Sequence, residues 1–319
     1  MPAKMNAVHA LWITMRPYLL FISGITGAAG MAVSRETAPF ALLAVFAASF
    51  FAYGFGQALT DCFQTDTDAI AAPYRPLVSG LVSRNVLLAM SILGLAACLI
   101  VFVCRNPWNL VMGLASAAGL ATYTPFKRRW WGGPWYNAWI VVSLCFMGFL
   151  GGNGDRPIAF PPPLVPLLAT VFLGYANFVL SGYFKDITAD ASTGYNTFPV
   201  RFGRKAAAVA SDVLATGFLA AAVWTASSIL YGANMPTGIF LALPFAILGL
   251  VFLVAAQIQL HRNRTERDAY VPIAYVVHAY LLILSGLSAL VRPEWSLLLG
   301  GHYGLFIFAL SRRPEVSQV

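Results

Sequence analysis

The sequence predicts an all-α polytopic membrane protein, a bundle of nine to ten transmembrane helices in one membrane-embedded domain over residues 1–319. Three observations carry this. Of the 319 residues 59% are hydrophobic and only 10% charged, with a mean hydropathy of +0.72, whereas soluble domains carry roughly a quarter charged residues. The apolar segments run end to end with no polar block that would make a second, soluble domain. The basic residues gather in short clusters between apolar runs, the pattern of a membrane topology signal.

A spanning helix needs about 20 mostly apolar residues, and the runs fall in order as follows. Residues 17–34 end in small residues like a cleaved leader. Arg16-Pro17 interrupts the start, however, and the run is long enough to span, so it reads as a retained first helix. Then come 40–61, 84–104, 108–125, 134–153, 162–185, 206–231, 237–260 and 269–291, with a shorter tenth run at 295–311. Pro, Gly and charge clusters (RNPW, GGNGDRP, VRPEW) punctuate the boundaries. With ten spans and a cytoplasmic N-terminus, all but Arg35, Arg105, Arg156 and Arg292 of the 20 Lys and Arg residues fall inside. Lys4 and Arg16 start that cytoplasmic set, and Arg312 and Arg313 end it. This bias gives a multi-pass protein of a bacterial inner membrane, active site facing the cytoplasm. The net charge of +8 is thereby spent on topology, and no nucleic acid partner is expected. Cys62, Cys98, Cys104 and Cys145 show neither metal spacing nor a disulfide framework.

Five of the twelve acids cluster at two places, each at the cytoplasmic end of a membrane helix. The first, TDCFQTDTDAIAAPYRPLVSG, holds Asp61, Asp66 and Asp68; the second, YFKDITADASTGYNTFPVRFG, holds Asp186 and Asp190. Asp61, Gln64 and Asp68 stand at i, i+3 and i+7 and share a face if the helix continues that far. Asp66 lies about 140° around from Asp61 at about 100° per residue. Tyr183, Asp186 and Asp190 share a face in the same way. Carboxylates so placed repel one another unless a cation intervenes, and hard oxygen ligands without His or Cys favour Mg²⁺. Each cluster is followed by a proline-spaced base, Pro73-Tyr74-Arg75 and Pro199-Val200-Arg201, and a third loop repeats this as Pro125-Phe126-Lys127. Acids that hold magnesium, ringed by bases, make a site for a diphosphate.

These segments resemble the UbiA superfamily of intramembrane prenyltransferases. Thr60 to Asp68 is similar to the family's N-D-x-x-D-x-x-x-D, Pro73 to Pro76 to its P-x-R-P tail, and Tyr183 to Asp190 to Y-x-K-D-x-x-D-x-x-x-D. The segments 199–203 and 123–127, and Arg16-Pro17, also look like family elements. Thr60 and Gln64 depart from the family's Asn and second Asp, and between Asp186 and Asp190, at Thr188, this chain lacks a family-type acid. Asp66 is an extra carboxylate that a local bend would bring in to compensate. The resemblance implies a helical bundle around a central cavity opening sideways to lipid, and Mg²⁺-dependent transfer of a prenyl group from an isoprenoid diphosphate to an aromatic or other nucleophilic acceptor. It implies Mg²⁺ on Asp61, Asp68, Asp186 and Asp190, with Gln64 as a neutral ligand. Diphosphate would meet Arg16, Arg75, Lys127 and Lys185, with Arg201 as an outer candidate. Tyr123 and Tyr183 would stabilise an allylic cation, and Asn137 would present an amide to either substrate.

The partners expected are therefore a prenyl diphosphate, an unidentified acceptor and the lipid bilayer. A membrane terpene cyclase, in which the cation is attacked by its own double bonds, is the nearest alternative. A transporter is another, but transporters place charges near the midplane. Asp212, about two turns into its helix, reads either as an acceptor-side base or as a helix-to-helix hydrogen bond. His278 and His302 read as satisfied packing residues, and His261 with Arg262, Arg264 and Arg267 as a topology cluster.

Overall fold

Prolines mark where several helices begin. In the computed structural model, which describes residues 6–34, 38–154, 156, 158–231 and 235–315, Pro39, Pro134, Pro199 and Pro236 sit in the first turns of α3 (Pro39–Asp61), α7 (Gly133–Asn153), α10 (Phe198–Leu230) and α11 (Pro236–Arg262). There the missing N–H costs nothing and the fixed φ favours the helix. The remaining long helices are α2 (Leu20–Ala32), α5 (Arg84–Arg105), α6 (Asn109–Arg129), α8 (Leu164–Gly182), α12 (Tyr270–Val291) and α13 (Ser296–Ser311). Three short ones, α1 (Ala7–Thr14), α4 (Thr65–Ala71) and α9 (Ile187–Ser192), complete an all-helical fold with no strand among the described residues.

Every residue of α2 is buried. Around it pack α3, α7, α8 and α12. The crossing of α2 with α7 is backbone on backbone: a Cβ on Gly30 would stand 2.0 Å from the Cys145 carbonyl oxygen, and one on Gly148 2.4 Å from that of Gly27. Glycine lets two membrane helices approach this closely where the hydrophobic effect gives them no reason to associate. The outer faces of α5 and α11 expose Leu93, Ile100, Phe240 and Ile247 as lipid-facing side chains.

Two backbone breaks aim functional residues. Arg16 is the one non-glycine with positive φ among the described residues (φ 52°). It precedes Pro17, which disfavours a helical residue before it, and α1 and α2 meet there at a bend of 41°. Within α10, Gly203 (φ 82°, ψ 164°) breaks the first turns from the long membrane segment, a conformation open to glycine alone.

The ten apolar runs all fold as helices, but nine to ten spans are not confirmed. Among the described residues, seven helices are long and apolar enough to cross a membrane, or up to eight if the bent pair of α1 and α2 is one span. α6 is diluted by Gly, Ser, Thr and its terminal bases, and α13 has only 16 residues. Lys4 and Arg35 of the topology argument lie outside the described residues. Asp212 is a helix-to-helix contact, 2.7 Å from His261 Nε2 between α10 and α11. His278 is satisfied by the Tyr303 hydroxyl at 2.7 Å. His302 is not: both ring nitrogens are buried without a hydrogen-bond partner, among Phe21, Phe46 and Phe50.

Gly30→Ala should destabilise the protein by about 1–3 kcal/mol by forcing α2 from α7, read as a lower thermal midpoint in detergent. Gly300→Ala, with nothing within 4 Å, should leave the midpoint unchanged or raise it. Equal behaviour of the two variants would contradict the crossing.

Candidate active site

At the last turn of α3 the helix stops short of its own motif. Asp61 is the final helical residue, Cys62 to Gln64 turn the chain, and α4 starts at Thr65. The continuous helix that would place Asp61, Gln64 and Asp68 on one face does not form, yet all three line one cavity across the turn. Asp66 points the other way. It is exposed and ion-paired with Arg128, so the bend occurs without bringing a fourth carboxylate inward.

The second arm repeats this construction. After Gly182 the chain tightens into a 3-10 turn over Tyr183–Lys185, and α9 begins beyond Asp186. Tyr183, Lys185 and Asp186 line the same cavity as Asp61 and Asp68. Asp190 does not. Its side chain is fully buried behind the wall, with Oδ1 3.1 Å from Lys127 Nζ. Thr188 faces outward, and its amide and hydroxyl donate to Glu266 Oε1 at 3.0 and 2.6 Å.

The cavity encloses about 520 Å³. Its polar end is an alternation of charges. Arg16 Nη2 donates to both oxygens of Asp61, at 2.9 and 3.1 Å, and Gln57 donates to Asp61 Oδ1 at 2.8 Å. Arg75 sits between the two acids of the first arm, paired with Asp68 and 3.6 Å from Asp61 Oδ1. Burial works against the Arg75 charge, but Asp61 and Asp68 outweigh it and hold the guanidinium protonated more firmly than usual. Burial pushes the Asp68 carboxyl up to about 6, with Arg75 opposing the shift and Asp61 adding to it. Burial likewise raises Asp190, against the pull of Lys127. Tyr123 and Tyr183 join hydroxyls at 2.8 Å, Lys127 Nζ lies 5.1 Å from the Tyr183 ring centroid, and Asn137 stands beside Tyr123.

The other end is apolar. Leu99, Phe102, Leu144, Met147 and Phe178 line it. Ile92 and Leu114 belong to the lining and are also exposed on the outside of α5 and α6, so the cavity opens sideways between these helices.

The lining carboxylates of Asp61, Asp68 and Asp186 with the amide oxygen of Gln64 form an all-oxygen donor set, and Gln64 uses its nitrogen elsewhere, on Thr124 Oγ1 at 3.3 Å. This chemistry fits Mg²⁺. Among the described residues no three acids, His or Cys lie close enough to cage an ion unaided. The set therefore suits an ion that reaches its full coordination only with phosphate oxygens. Arg201 is exposed at the start of α10 and takes no part. Sequence reasoning missed Gln57, Tyr53 and Tyr175, which also line the cavity. A signal existed: Gln57 and Tyr53 precede Asp61 by one and two i+4 steps, and Tyr175 precedes Tyr183 by two.

The family profile described as the UbiA prenyltransferase family matches residues 20–276. A digeranylgeranylglyceryl phosphate synthase of Methanoregula boonei is 27% identical over 221 residues, 68% of this chain and 77% of that one. The chloroplastic chlorophyll synthase of Oryza sativa subsp. japonica is 27% identical over 48% of this chain and 43% of its own length. Among solved structures, the apo form of a UbiA homolog from Aeropyrum pernix K1 superposes with a TM-score of 0.69 at 22% identity, covering 84% of this chain and 96% of that one. A UbiA homolog from Archaeoglobus fulgidus bound to GPP and Mg²⁺ gives 0.60 at 16%, over 94% and 99%. At these identities the structural likeness speaks for the fold.

If Asp68 holds Mg²⁺, a proton competes with the metal there, and burial lifts that competition above the ordinary carboxyl range near about 3.9, so Mg²⁺ affinity should be flat above pH 7. It should weaken by up to about tenfold per unit below about pH 6. Titration calorimetry on wild type and Asp68→Asn measures this; the variant should bind more weakly and lose the pH dependence.

Proposed function

The chain belongs to the UbiA prenyltransferase family, and from that premise we propose that it is a Mg²⁺-dependent prenyltransferase moving the prenyl group of an isoprenoid diphosphate to an aromatic or other nucleophilic acceptor. One observation carries the reading. Carboxylates from two separate arms, Asp61 and Asp68 on one and Asp186 on the other, line a single cavity with Arg16, Arg75, Lys127 and Lys185. The relatives' names fit this chemistry, and the Archaeoglobus fulgidus homolog binds GPP and Mg²⁺ in its fold.

In this reading Asp61, Asp68, Asp186 and Gln64 would hold Mg²⁺ together with the substrate diphosphate, and the bound ion would supply positive charge for the leaving diphosphate. Arg16, Arg75, Lys127 and Lys185 bind the same group, fixed dipoles and charges that need no reorganisation at the moment of reaction. Asp190 acts behind the wall by holding Lys127 in place. The bond between C1 and the diphosphate oxygen breaks with its electron pair going to oxygen, leaving an allylic cation. The rings of Tyr123 and Tyr183, with Tyr53 and Tyr175 nearby, attract a cation, and Asn137 orients the acceptor or the Tyr123 hydroxyl. The acceptor bonds to C1 and gives up its proton. The tail lies along the apolar end, where water that would quench the cation is excluded. We place the polar end on the cytoplasmic side from the bias of basic residues, and α6 and α13 across the bilayer with the rest, in one domain of a bacterial inner membrane.

Purified protein with Mg²⁺ and C10 to C20 prenyl diphosphates should release diphosphate and prenylate a phenolic acceptor. Asp61→Ala and Asp186→Ala should each lower turnover by at least about 100-fold, read by product chromatography. Cyclic hydrocarbon formed without any acceptor would replace this assignment with a cyclase, and solute uptake untouched by prenyl diphosphates would replace it with a transporter.

A further inference from the structure

One set of contacts reaches from the polar end of the cavity, at Lys127 and Thr67, to side chains outside it. Asp66 is ion-paired with Arg128 at the end of α6. The Tyr195 hydroxyl donates to the other Asp66 oxygen at 3.5 Å. The Tyr195 ring carries two cations, Arg128 Cζ at 4.5 Å and Lys127 Nζ at 4.8 Å from its centroid. Tyr195 is buried, and its amide donates to the Asp190 carbonyl at 2.8 Å. The Asn196 amide donates to the Arg128 carbonyl at 3.1 Å, and the hydroxyls of Thr67 and Thr193 meet at 3.0 Å. Three segments are thus knotted together: α4, the last turn of α6, and the turn after α9.

Each tie lies beside a residue of the polar end. Asp66 is two residues before Asp68, Arg128 follows Lys127, and Tyr195 contacts both Lys127 and the backbone of its partner Asp190. The short helices α4 and α9 are seven and six residues long, too short to be stable by themselves. They lie off the ends of α3 and α8, so the membrane core does not set their separation. An exposed ion pair alone would hold them weakly. The buried, pre-oriented ring of Tyr195 adds cation–π attraction to both bases.

We propose that Asp66, Arg128 and Tyr195 are positioning residues that clamp the two acid-bearing arms, keeping Asp68 and Lys127 together on the lining of the one cavity that would take the prenyl diphosphate head group. This rests on the prenyltransferase reading. It gives Asp66 a use that its outward direction denies it as a metal ligand.

Spin labels on the exposed residues Ile70 and Ser192, in a Cys104→Ser background that removes the exposed native thiol, measure the separation of the arms by pulsed EPR. Wild type should show one narrow distance, and Asp66→Asn and Tyr195→Leu should broaden it. In the unlabelled variants KM for the prenyl diphosphate should rise between about three- and tenfold, with kcat within about twofold, the signature of lost ground-state binding. The double variant Asp66→Asn with Tyr195→Leu should raise KM by less than the product of the two single effects, because both residues hold the same arms. Unchanged distances and KM in the single variants, or single effects that simply multiply in the double variant, would overturn the clamp. A wild-type protein that turns over no prenyl diphosphate would instead sink the enzymatic reading, and the label distances would then decide the clamp by themselves.

Discussion

The carboxylate of Asp61 is the point on which the polar end of this molecule is built. Taking such a charge out of water costs several kcal/mol unless partners replace the lost hydration, and removing one partner of a buried pair costs about 3–5 kcal/mol. Asp61 draws Arg16, Arg75 and Gln57 onto two oxygens, and each comes from a different place along the chain or helix. Satisfying it therefore fixes the bend between α1 and α2, the proline-flanked loop after α4 and the last turns of α3 together. The positive φ of Arg16 is a strained conformation of the sort that persists where surrounding contacts over-determine it. The two-pronged bond to Asp61 is such a contact.

The acid pattern made most of this site legible. Intervals of three, four and seven residues put Asp61, Gln64 and Asp68 on one face and set Asp66 about 140° from Asp61, and the structure brings those three to one cavity across a turn. The bend expected to draw Asp66 inward does form, at Cys62 to Gln64, but leaves Asp66 exposed on Arg128. The same logic failed at Asp190. There the chain passes through a 3-10 turn, which advances about 120° per residue instead of about 100°, and the last acid rotates off the cavity onto Lys127. Arg201 was misjudged for a different reason. Its resemblance to Arg75 lies in a dipeptide spacing, and spacing says nothing about which way the first turn of α10 faces.

The bundle shows where hydropathy stops being informative. All ten apolar runs were found as helices, because apolar length is a one-dimensional property. Whether a run spans depends also on what covers its polar residues, and α6 buries Tyr123, Thr124 and Lys127 against the cavity side. A helix that lines a polar site pays in mean hydropathy for the residues it contributes. The α2–α7 contact was equally hidden, since glycines on two distant segments declare a close approach only once they are seen to meet.

The sideways gap between α5 and α6 has a thermodynamic corollary. A reaction at the polar end yields one water-loving fragment and one oily one, and the cavity is charged at one end and open to hydrocarbon at the side. Each fragment is diluted into a separate phase as it departs. Recombination would require both to meet again in one cavity, so the separation slows the return, while the partitioning of the products themselves, not the protein, sets the equilibrium.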